Sequence, residues 1–297
     1  MKTSTLSSCI AIASVLGFAT PSLKAGLLLS ESFADGQRLV QNLPATSAWY
    51  SSTSGASLTY ENGALTSPKG HHLVTYFTDM NGAENQVVAL GVGDKLVVEF
   101  SFSITGSASN SGGLRVGLMD SGGSRISKDS QTLNAAAFLD YTGYAAFLSN
   151  GAGSAGKFYK RNPGVSNALI HSGSTVYSDL MGAGSGTGAT FVDGTNYTGT
   201  FTLERTASGV FMSISLSGLD GYSFSYTDSD APCTSFDTFV IWGAANLLET
   251  YTLTGFTVNY IAAVPEPNSA GAIMGVVMMG AVVSRRRFGA RVRGNYR

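Results

Sequence analysis

The sequence is poor in charged residues, which make up 12% of its 297 residues. Long runs of Leu, Ala, Glu and Lys are absent, and these are the residues that most favour helices. This composition disfavours helix-rich protein classes. Hydrophobic residues account for 43% and aromatic residues for 10%, which is enough to form a core and excludes a chain that is disordered throughout.

Cysteine and histidine are also scarce, with two and three residues respectively. His71 and His72 are adjacent, while His171 is far away in sequence. Neighbouring residues of a strand point to opposite faces, so at most one of the adjacent pair can join a site, and no zinc-site spacing is present. Cys233 has no partner once Cys9 leaves with the N-terminal segment. We therefore expect no internal disulfide and a stability that comes from the core.

Two common catalytic or cofactor motifs are missing or incomplete. No G-x-S-x-G sequence, the mark of many serine hydrolases, occurs in the chain. Gly151, Gly153 and Gly156 fit G-x-G-x-x-G, but the strand-like run KFYKR follows them. A dinucleotide site needs a helix at that position, so this match is rejected.

The net charge of −1 conceals an uneven distribution. Residues 265–297 contain six Arg and one Glu, and residues 1–25 contain two Lys. The remainder contains 10 basic and 18 acidic residues, a net charge of −8. Proteins that bind DNA or RNA contact its phosphates through cationic surfaces. We therefore expect no nucleic-acid partner.

Period-two alternation of apolar and polar residues recurs through the middle of the chain. Residues 96–104 place Val98, Phe100, Phe102 and Ile104 on one face and polar residues on the other. Three more segments alternate in the same way: residues 114–118, 210–216 and 222–227. This pattern is typical of antiparallel strands with one solvated face. About twelve such strands separated by turn residues predict an all-β fold, an antiparallel two-sheet β-sandwich or jelly roll.

Two local features predict the geometry of particular strands. Asn62-Gly63 lies between two strand-like segments and predicts a two-residue hairpin turn, because both turn positions need a positive φ. Near the end of the alternating region, Tyr251 is an odd-numbered apolar position, whereas Phe256 is even-numbered. A β-bulge at Gly255 would account for this change of phase, because one extra residue turns every later side chain to the other face.

The N-terminus has the pattern of an export signal. A short basic start at Met1 and Lys2 is followed by the apolar run from Cys9 to Ala19 and by small residues near Pro21. This run is too short to span a bilayer, so we interpret residues 1–25 as a signal peptide that signal peptidase removes.

The C-terminus has a second pattern. Pro265-Glu266-Pro267 precedes fifteen uncharged residues, 269–283, and then Arg285, Arg286 and Arg287. As a helix the uncharged residues would cover roughly 22 Å, against a hydrocarbon core of about 30 Å. The three arginines would form a basic stop on the cytoplasmic side. A buried C-terminal helix is the alternative, but it would have to end on three consecutive arginines.

This ordered set of motif, apolar span and arginines resembles the PEP-CTERM sorting signal of bacterial proteins processed by exosortases. The resemblance covers about 30 residues, from Val264 to about Arg293. It implies that a membrane exosortase recognises the Pro-Glu-Pro triplet during a transient membrane insertion. The protein would be anchored in the inner membrane during sorting and then reach the cell surface or the extracellular space. Such proteins belong to envelope and exopolysaccharide systems, so the resemblance implies an exopolysaccharide partner.

The order of segments in residues 27–261 is similar to that of concanavalin A-like (laminin-G-like) jelly rolls. The pattern runs from SESF through GDKLVVEFSFSITG and GLRVGLMDSGG to the closing TGFTVNY. Members of this fold include lectins, adhesive modules and glycoside hydrolases, so the fold leaves the function open. We accordingly divide the chain into a signal peptide (1–25), a β-sandwich domain (26–262) and a sorting signal (263–297).

Exposed aromatic residues are the side chains that stack on sugar rings. Trp49 and Tyr50 precede a Ser-rich segment, and Tyr144 lies near another loop region, so these three are the glycan-binding candidates. Core packing is the alternative role for Trp49. Trp242 lies in an apolar run, which favours the core for it.

Asp228, Asp230 and Asp237 are the candidate ligands for a hard cation. Two carboxylates in a loop, with main-chain carbonyls and a third carboxylate nearby in sequence, can bind Ca²⁺. However, the EF-hand pattern is absent, and Asp is an ordinary turn residue. We therefore expect no cofactor, with calcium at these aspartates as the alternative.

Three functions remain open on this evidence. We favour an exported, non-catalytic envelope or extracellular-matrix protein that binds glycan. A jelly-roll carbohydrate-active enzyme, a glycoside hydrolase or a lyase, is the first alternative, but the strand motif E-x-D-x-x-E of such glycanases is absent. A structural or adhesive surface protein without a small ligand is the second alternative.

Overall fold

A computed structural model of the chain describes residues 26–51, 58–79, 86–106, 113–129, 136–148, 156–165, 169–170, 175–182, 190–243 and 249–263. Within these ranges it contains seventeen strands and a 3₁₀ helix at Ala136–Phe138. The strands are β1 (Gly26–Glu31), β2 (Trp49–Ser51), β3 (Thr59–Glu61), β4 (Ala64–Pro68), β5 (His72–Tyr76), β6 (Val88–Ala89), β7 (Lys95–Thr105), β8 (Leu114–Asp120), β9 (Thr142–Phe147), β10 (Lys157–Arg161), β11 (Tyr177–Asp179), β12 (Tyr197–Thr206), β13 (Gly209–Ser217), β14 (Ser223–Asp228), β15 (Ser235–Phe236), β16 (Thr238–Gly243) and β17 (Thr250–Ile261).

The strands form two large antiparallel sheets. The first sheet has the order β14–β13–β12–β7–β17–β4–β3, and β1 also pairs with β17. The second sheet has the order β11–β10–β9–β8–β16–β5–β2, and β6 and β15 form a small separate pair. The chain crosses between the sheets several times, for example between β4 and β5, between β7 and β8, and between β16 and β17. Of these strands, β7, β17 and β4 are adjacent in the first sheet and β8, β16 and β5 are adjacent in the second, as in a jelly roll. The predicted all-β, antiparallel two-sheet β-sandwich is confirmed.

The main core lies between the two sheets. Phe100 of the first sheet meets Phe239 of the second with 5.8 Å between ring centroids, and Phe201 meets Phe158 at the same distance. The first sheet keeps the predicted alternation, with a buried inner face and a partly exposed outer face. β5 and the first six residues of β8 are buried without interruption, because the outer face of the second sheet is covered as well.

A second, smaller core covers that outer face. It joins residues of the sheet, such as Val74 and Val240, to Phe138, Leu169 and Ile170 from the connections between strands. The central strands β5, β8 and β16 of the second sheet are therefore buried on both faces, whether their sequence alternates, as in β8, or is an apolar run, as in β16.

Both local predictions about the strands are confirmed. Asn62 and Gly63 have φ values of 55° and 73° and connect β3 to β4. The pairing of β17 with β7 shifts its register between Leu253 and Gly255. This bulge lets Tyr251 and Phe256 both face the core despite their opposite parity.

The predicted signal peptide (1–25), the Pro265-Glu266-Pro267 motif, the C-terminal hydrophobic helix and the arginines 285–287 lie outside the described residues. Among the residues that are described, no helix is both long enough and apolar enough to cross a bilayer.

Candidate functional site

The register of four strands brings a row of aromatic and basic side chains together on the outer face of the second sheet. Trp242 of β16 lies directly opposite His72 of β5 and, on its other side, opposite Arg115 of β8. Arg115 is in turn opposite Phe147 of β9. Directly opposite residues of an antiparallel pair point to the same face. We call these four side chains the Arg115 row.

The side chains of the Arg115 row stack on one another. The guanidinium carbon of Arg115 lies 4.1 Å from the ring centroid of Phe147 and 4.3 Å from that of Trp242. The ring of His72 stacks on the other side of Trp242, with centroids 5.7 Å apart and an angle of 23° between the planes. Each cation–π contact contributes about 0.5–2 kcal/mol. The guanidinium therefore has a fixed orientation between the rings of Phe147 and Trp242.

Arg115 is nearly buried, with 5% of its surface exposed. Burial lowers the pKa of its guanidinium to about 10, because desolvation disfavours the charged form. Within the described part of the chain, its Nε and Nη1 atoms have no hydrogen-bond partner, and neither does Nε1 of Trp242. One cross-strand pair thus holds three buried donors for which the described chain supplies no acceptor.

Such groups are uncommon, because a buried donor without an acceptor costs about 1–3 kcal/mol. His72 differs from Arg115 and Trp242, since its Nε2 atom lies 2.9 Å from the main-chain oxygen of Ile170 in the second core. Trp242 is the most exposed member of the row.

The aromatic residues predicted from the sequence lie elsewhere. Trp49 is completely buried in the core between the sheets, where its ring meets those of Phe239 and Phe256. Tyr50 is 5% exposed and belongs to the second core. Tyr144 is completely buried. In this structure none of the three offers an exposed ring face on which a sugar could stack.

The candidate cation ligand Asp237 is occupied by protein donors. Its carboxylate is completely buried, and it accepts hydrogen bonds from Ser121 N at 2.9 Å and from Thr238 Oγ1 at 2.5 Å. Arg125 Nη2 forms an ion pair with it at 2.9 Å. These contacts fill the acceptor sites that a cation would otherwise use.

The other two aspartates do not join Asp237. Asp228 is 3% exposed, accepts a hydrogen bond from the Tyr144 hydroxyl at 2.7 Å, and pairs with Lys160 Nζ at 2.9 Å. Asp230 is exposed. Within the described ranges, no three His, Cys, Asp or Glu side chains form a group that could hold a metal ion. The structure does not bring the three predicted calcium ligands together.

A second candidate surface lies on the outer face of the first sheet. It carries a shallow depression of about 450 Å³ with many hydroxyl side chains, including Thr200, Thr202, Ser213 and Ser215. These side chains are half-buried or exposed. The residues that line the depression include no buried polar atom without a hydrogen-bond partner, in contrast to Arg115 and Trp242.

Sequence analysis did not identify the Arg115 row. A weak sign was present, since Arg115 is a basic residue between two apolar residues inside an alternating strand. The residue that completes the pair, Trp242, is distant in sequence, and only the strand register joins the two.

No protein-family profile matches the chain, and no curated protein sequence matches it. Solved structures that it resembles include the carbohydrate recognition domain of Emp47p, at 12% identity over 81% of this chain and 98% of that one, with a TM-score of 0.48. The exoplasmic/lumenal domain of VIP36 with Ca²⁺ and Man3GlcNAc bound is similar at 9% identity over 83% and 94%, with a TM-score of 0.46. Peanut lectin is similar at 8% identity over 74% and 100%, with a TM-score of 0.42. Likenesses of this strength carry no information about the ligand of this chain.

Proposed function

We propose that this protein is an exported, non-catalytic β-sandwich protein that binds glycan in the cell envelope or the extracellular polysaccharide. The observation that carries the proposal is the group of three buried donors on Arg115 and Trp242 without acceptors in the described chain. Glycans are rich in acceptor oxygens, and the apolar faces of their rings pack against aromatic side chains. The Arg115 row supplies the donors, while the faces of its rings are taken up by the stacking within the row.

A hydrolytic enzyme is the weaker candidate for the same site. Most glycosidases act through a pair of carboxylates on either side of the bond that is cleaved. The four side chains of the Arg115 row include no carboxylate. The row has the groups needed to hold a sugar, but it lacks those needed for glycoside hydrolysis.

Glycan binding can be tested by replacing Trp242 in the full-length chain. On an array of neutral and acidic polysaccharides, we expect binding by the unchanged protein. Trp242→Phe keeps an aromatic ring and removes the Nε1 donor, so we expect binding to weaken about 3- to 10-fold, the effect of one hydrogen bond. Trp49→Phe makes the same chemical change in the core and should leave binding unchanged. Absence of binding to every glycan would contradict the proposal, and equal weakening by both variants would contradict the site.

Sorting through the C-terminus is the second part of the proposal. It is supported by the order of the Pro265-Glu266-Pro267 triplet, the apolar span and the arginines in the sequence. We expect Glu266→Gln to leave unprocessed protein in the membrane fraction, because the exosortase would no longer recognise the triplet. Fractionation and immunoblotting in the native host measure this, with Glu61→Gln on the exposed part of β3 as the control. Normal processing of Glu266→Gln would contradict the assignment.

A further inference from the structure

The cations of the described structure show how this chain normally compensates a buried positive charge. Six cations of the described residues form ion pairs with carboxylates, and in three of these pairs the cation's side chain is less than 20% exposed: Arg38 with Asp129, Arg125 with Asp237 and Lys160 with Asp228. Arg161, which is 1% exposed, donates to the main-chain oxygens of Phe138 and Tyr141 at 2.6 and 2.5 Å.

Arg115 is treated differently. It is 5% exposed, and no acidic side chain of the described residues forms an ion pair with it. Unlike Arg161, it also has no main-chain acceptor for Nε or Nη1 in the described chain, and the rings of Phe147 and Trp242 lie on either side of its guanidinium. A buried charge without a counterion is costly, and chains seldom retain one that has no role. Its missing partner is therefore an anion that the described chain does not provide.

We infer that the glycan bound at the Arg115 row is acidic, and that an anionic oxygen group on the sugar, a carboxylate or a sulfate ester, is the counterion of Arg115. This inference rests on the proposed glycan binding. A planar guanidinium forms its strongest hydrogen bonds with such groups. Nε1 of Trp242 is a neighbouring donor for a further oxygen of the same sugar residue.

The stacked rings give this contact its selectivity. Phe147 and Trp242 hold the guanidinium plane before any ligand arrives, so little side-chain entropy is lost on binding. A neutral sugar would place a hydroxyl against the charge, which satisfies hydrogen bonding but leaves the charge without a counterion. The site therefore discriminates by charge more than by the shape of the sugar.

The charge of the whole domain does not provide this selectivity. Residues 26–264 carry a net charge of −8, which repels a polyanion at long range. Binding through a basic surface would weaken steeply with salt, whereas a contact at a desolvated pair is screened much less. We therefore expect affinity for an acidic glycan that changes little, or rises, between low and physiological salt.

The test compares one polymer in two chemical forms. The full-length chain is measured against a polyuronate and against the same polymer after reduction of its carboxyl groups to alcohols, with a sulfated polysaccharide as the third arm. We expect the polyuronate or the sulfated polymer to bind about 10- to 100-fold more tightly than the reduced polymer, the range that one or two charge-assisted hydrogen bonds supply. The arm that binds identifies the anionic group.

Variants at Arg115 separate a ligand contact from a structural role. Arg115→Met fills the space between the rings without a charge, and it should remove the preference for the acidic polymer. It should also unfold at the same urea concentration as the unchanged protein, or at a higher one, because the unpaired buried charge is gone. Lys69→Gln, at an exposed ion pair, is the control and should change neither property.

The outcomes distinguish the two proposals. Equal binding of the reduced and acidic polymers would overturn this inference and leave the proposed glycan binding intact. Absence of binding in all three arms would overturn both. Preference for the acidic polymer that survives Arg115→Met would show that the counterion site lies elsewhere and would also overturn the inference.

Discussion

Replacing Asp237 with alanine is expected to lower the free energy of unfolding by about 3–5 kcal/mol, because the change leaves a nearly buried cation without its counterion. The Asp237 carboxylate is completely buried, and its partner Arg125 has a side chain that is 11% exposed. Arg125 also donates to the main-chain oxygens of Asp79 at 2.8 Å and Gln86 at 2.9 Å. Loss of the carboxylate therefore weakens the contacts by which Arg125 connects Asp237 to Asp79 and Gln86. Equilibrium unfolding in urea measures the effect as a lower midpoint at an unchanged slope.

An ion pair on the surface is the matched control for this prediction. Lys69 and Glu249 lie 2.8 Å apart, but their side chains are 41% and 65% exposed. Glu249→Ala should therefore change the free energy of unfolding by no more than about 0.5 kcal/mol. If Asp237→Ala and Glu249→Ala had similar effects, burial of the first pair would not be the source of its contribution.

The first sheet was predictable from the sequence because water contacts its outer face. Along β7, the buried residues Val98, Phe100 and Phe102 alternate with polar ones, so the pattern itself indicates which face is inside. Even the interruption at Gly255 was predictable, because a bulge is the only local change that shifts parity without ending the strand. In this sheet a residue's environment follows from its neighbours in sequence.

The second sheet did not allow the same inference. Val240 and Ile241 are consecutive and both completely buried, because one faces the second core and the other faces the first sheet. An apolar run of this kind does not indicate which residues share a face. The position of Trp242 beside Arg115 depends on a register between β8 and β16, which are far apart in sequence. No local sequence pattern predicts which residues of β8 and β16 lie opposite each other.

The predicted cation ligands illustrate the same difficulty. Asp228 and Asp237 are close in sequence, but Asp228 ends a strand of the first sheet, whereas Asp237 directly precedes a strand of the second. Each carboxylate finds its donors in its own surroundings, Lys160 for one and Arg125 for the other. The three predicted ligands are therefore close in sequence, but among the described residues they do not form one group that could hold a metal ion.

Trp49→Ala is expected to lower the free energy of unfolding by about 3–5 kcal/mol, because it opens a large cavity in the main core. The Trp49 ring makes near-perpendicular contacts with Phe256 at 5.1 Å and Phe239 at 6.4 Å, and a tilted contact with Phe33 at 5.6 Å. It therefore ties the segment after β1 to strands of both sheets. Urea unfolding followed by circular dichroism is the suitable measurement, because the substitution removes a fluorophore.

Trp49→Phe distinguishes the packing role from a role in ligand binding. Phenylalanine retains a ring against Phe239 and Phe256, and it removes an Nε1 atom that is buried without a hydrogen-bond partner in the described chain. The smaller cavity is thus partly offset, and we expect a loss of only about 1–2 kcal/mol. A glycan-stacking residue would behave in the opposite way, since its replacement by alanine would abolish binding and leave the unfolding midpoint almost unchanged. Full stability in Trp49→Ala would therefore contradict the place of this ring in the core and restore Trp49 as a candidate for the sugar site.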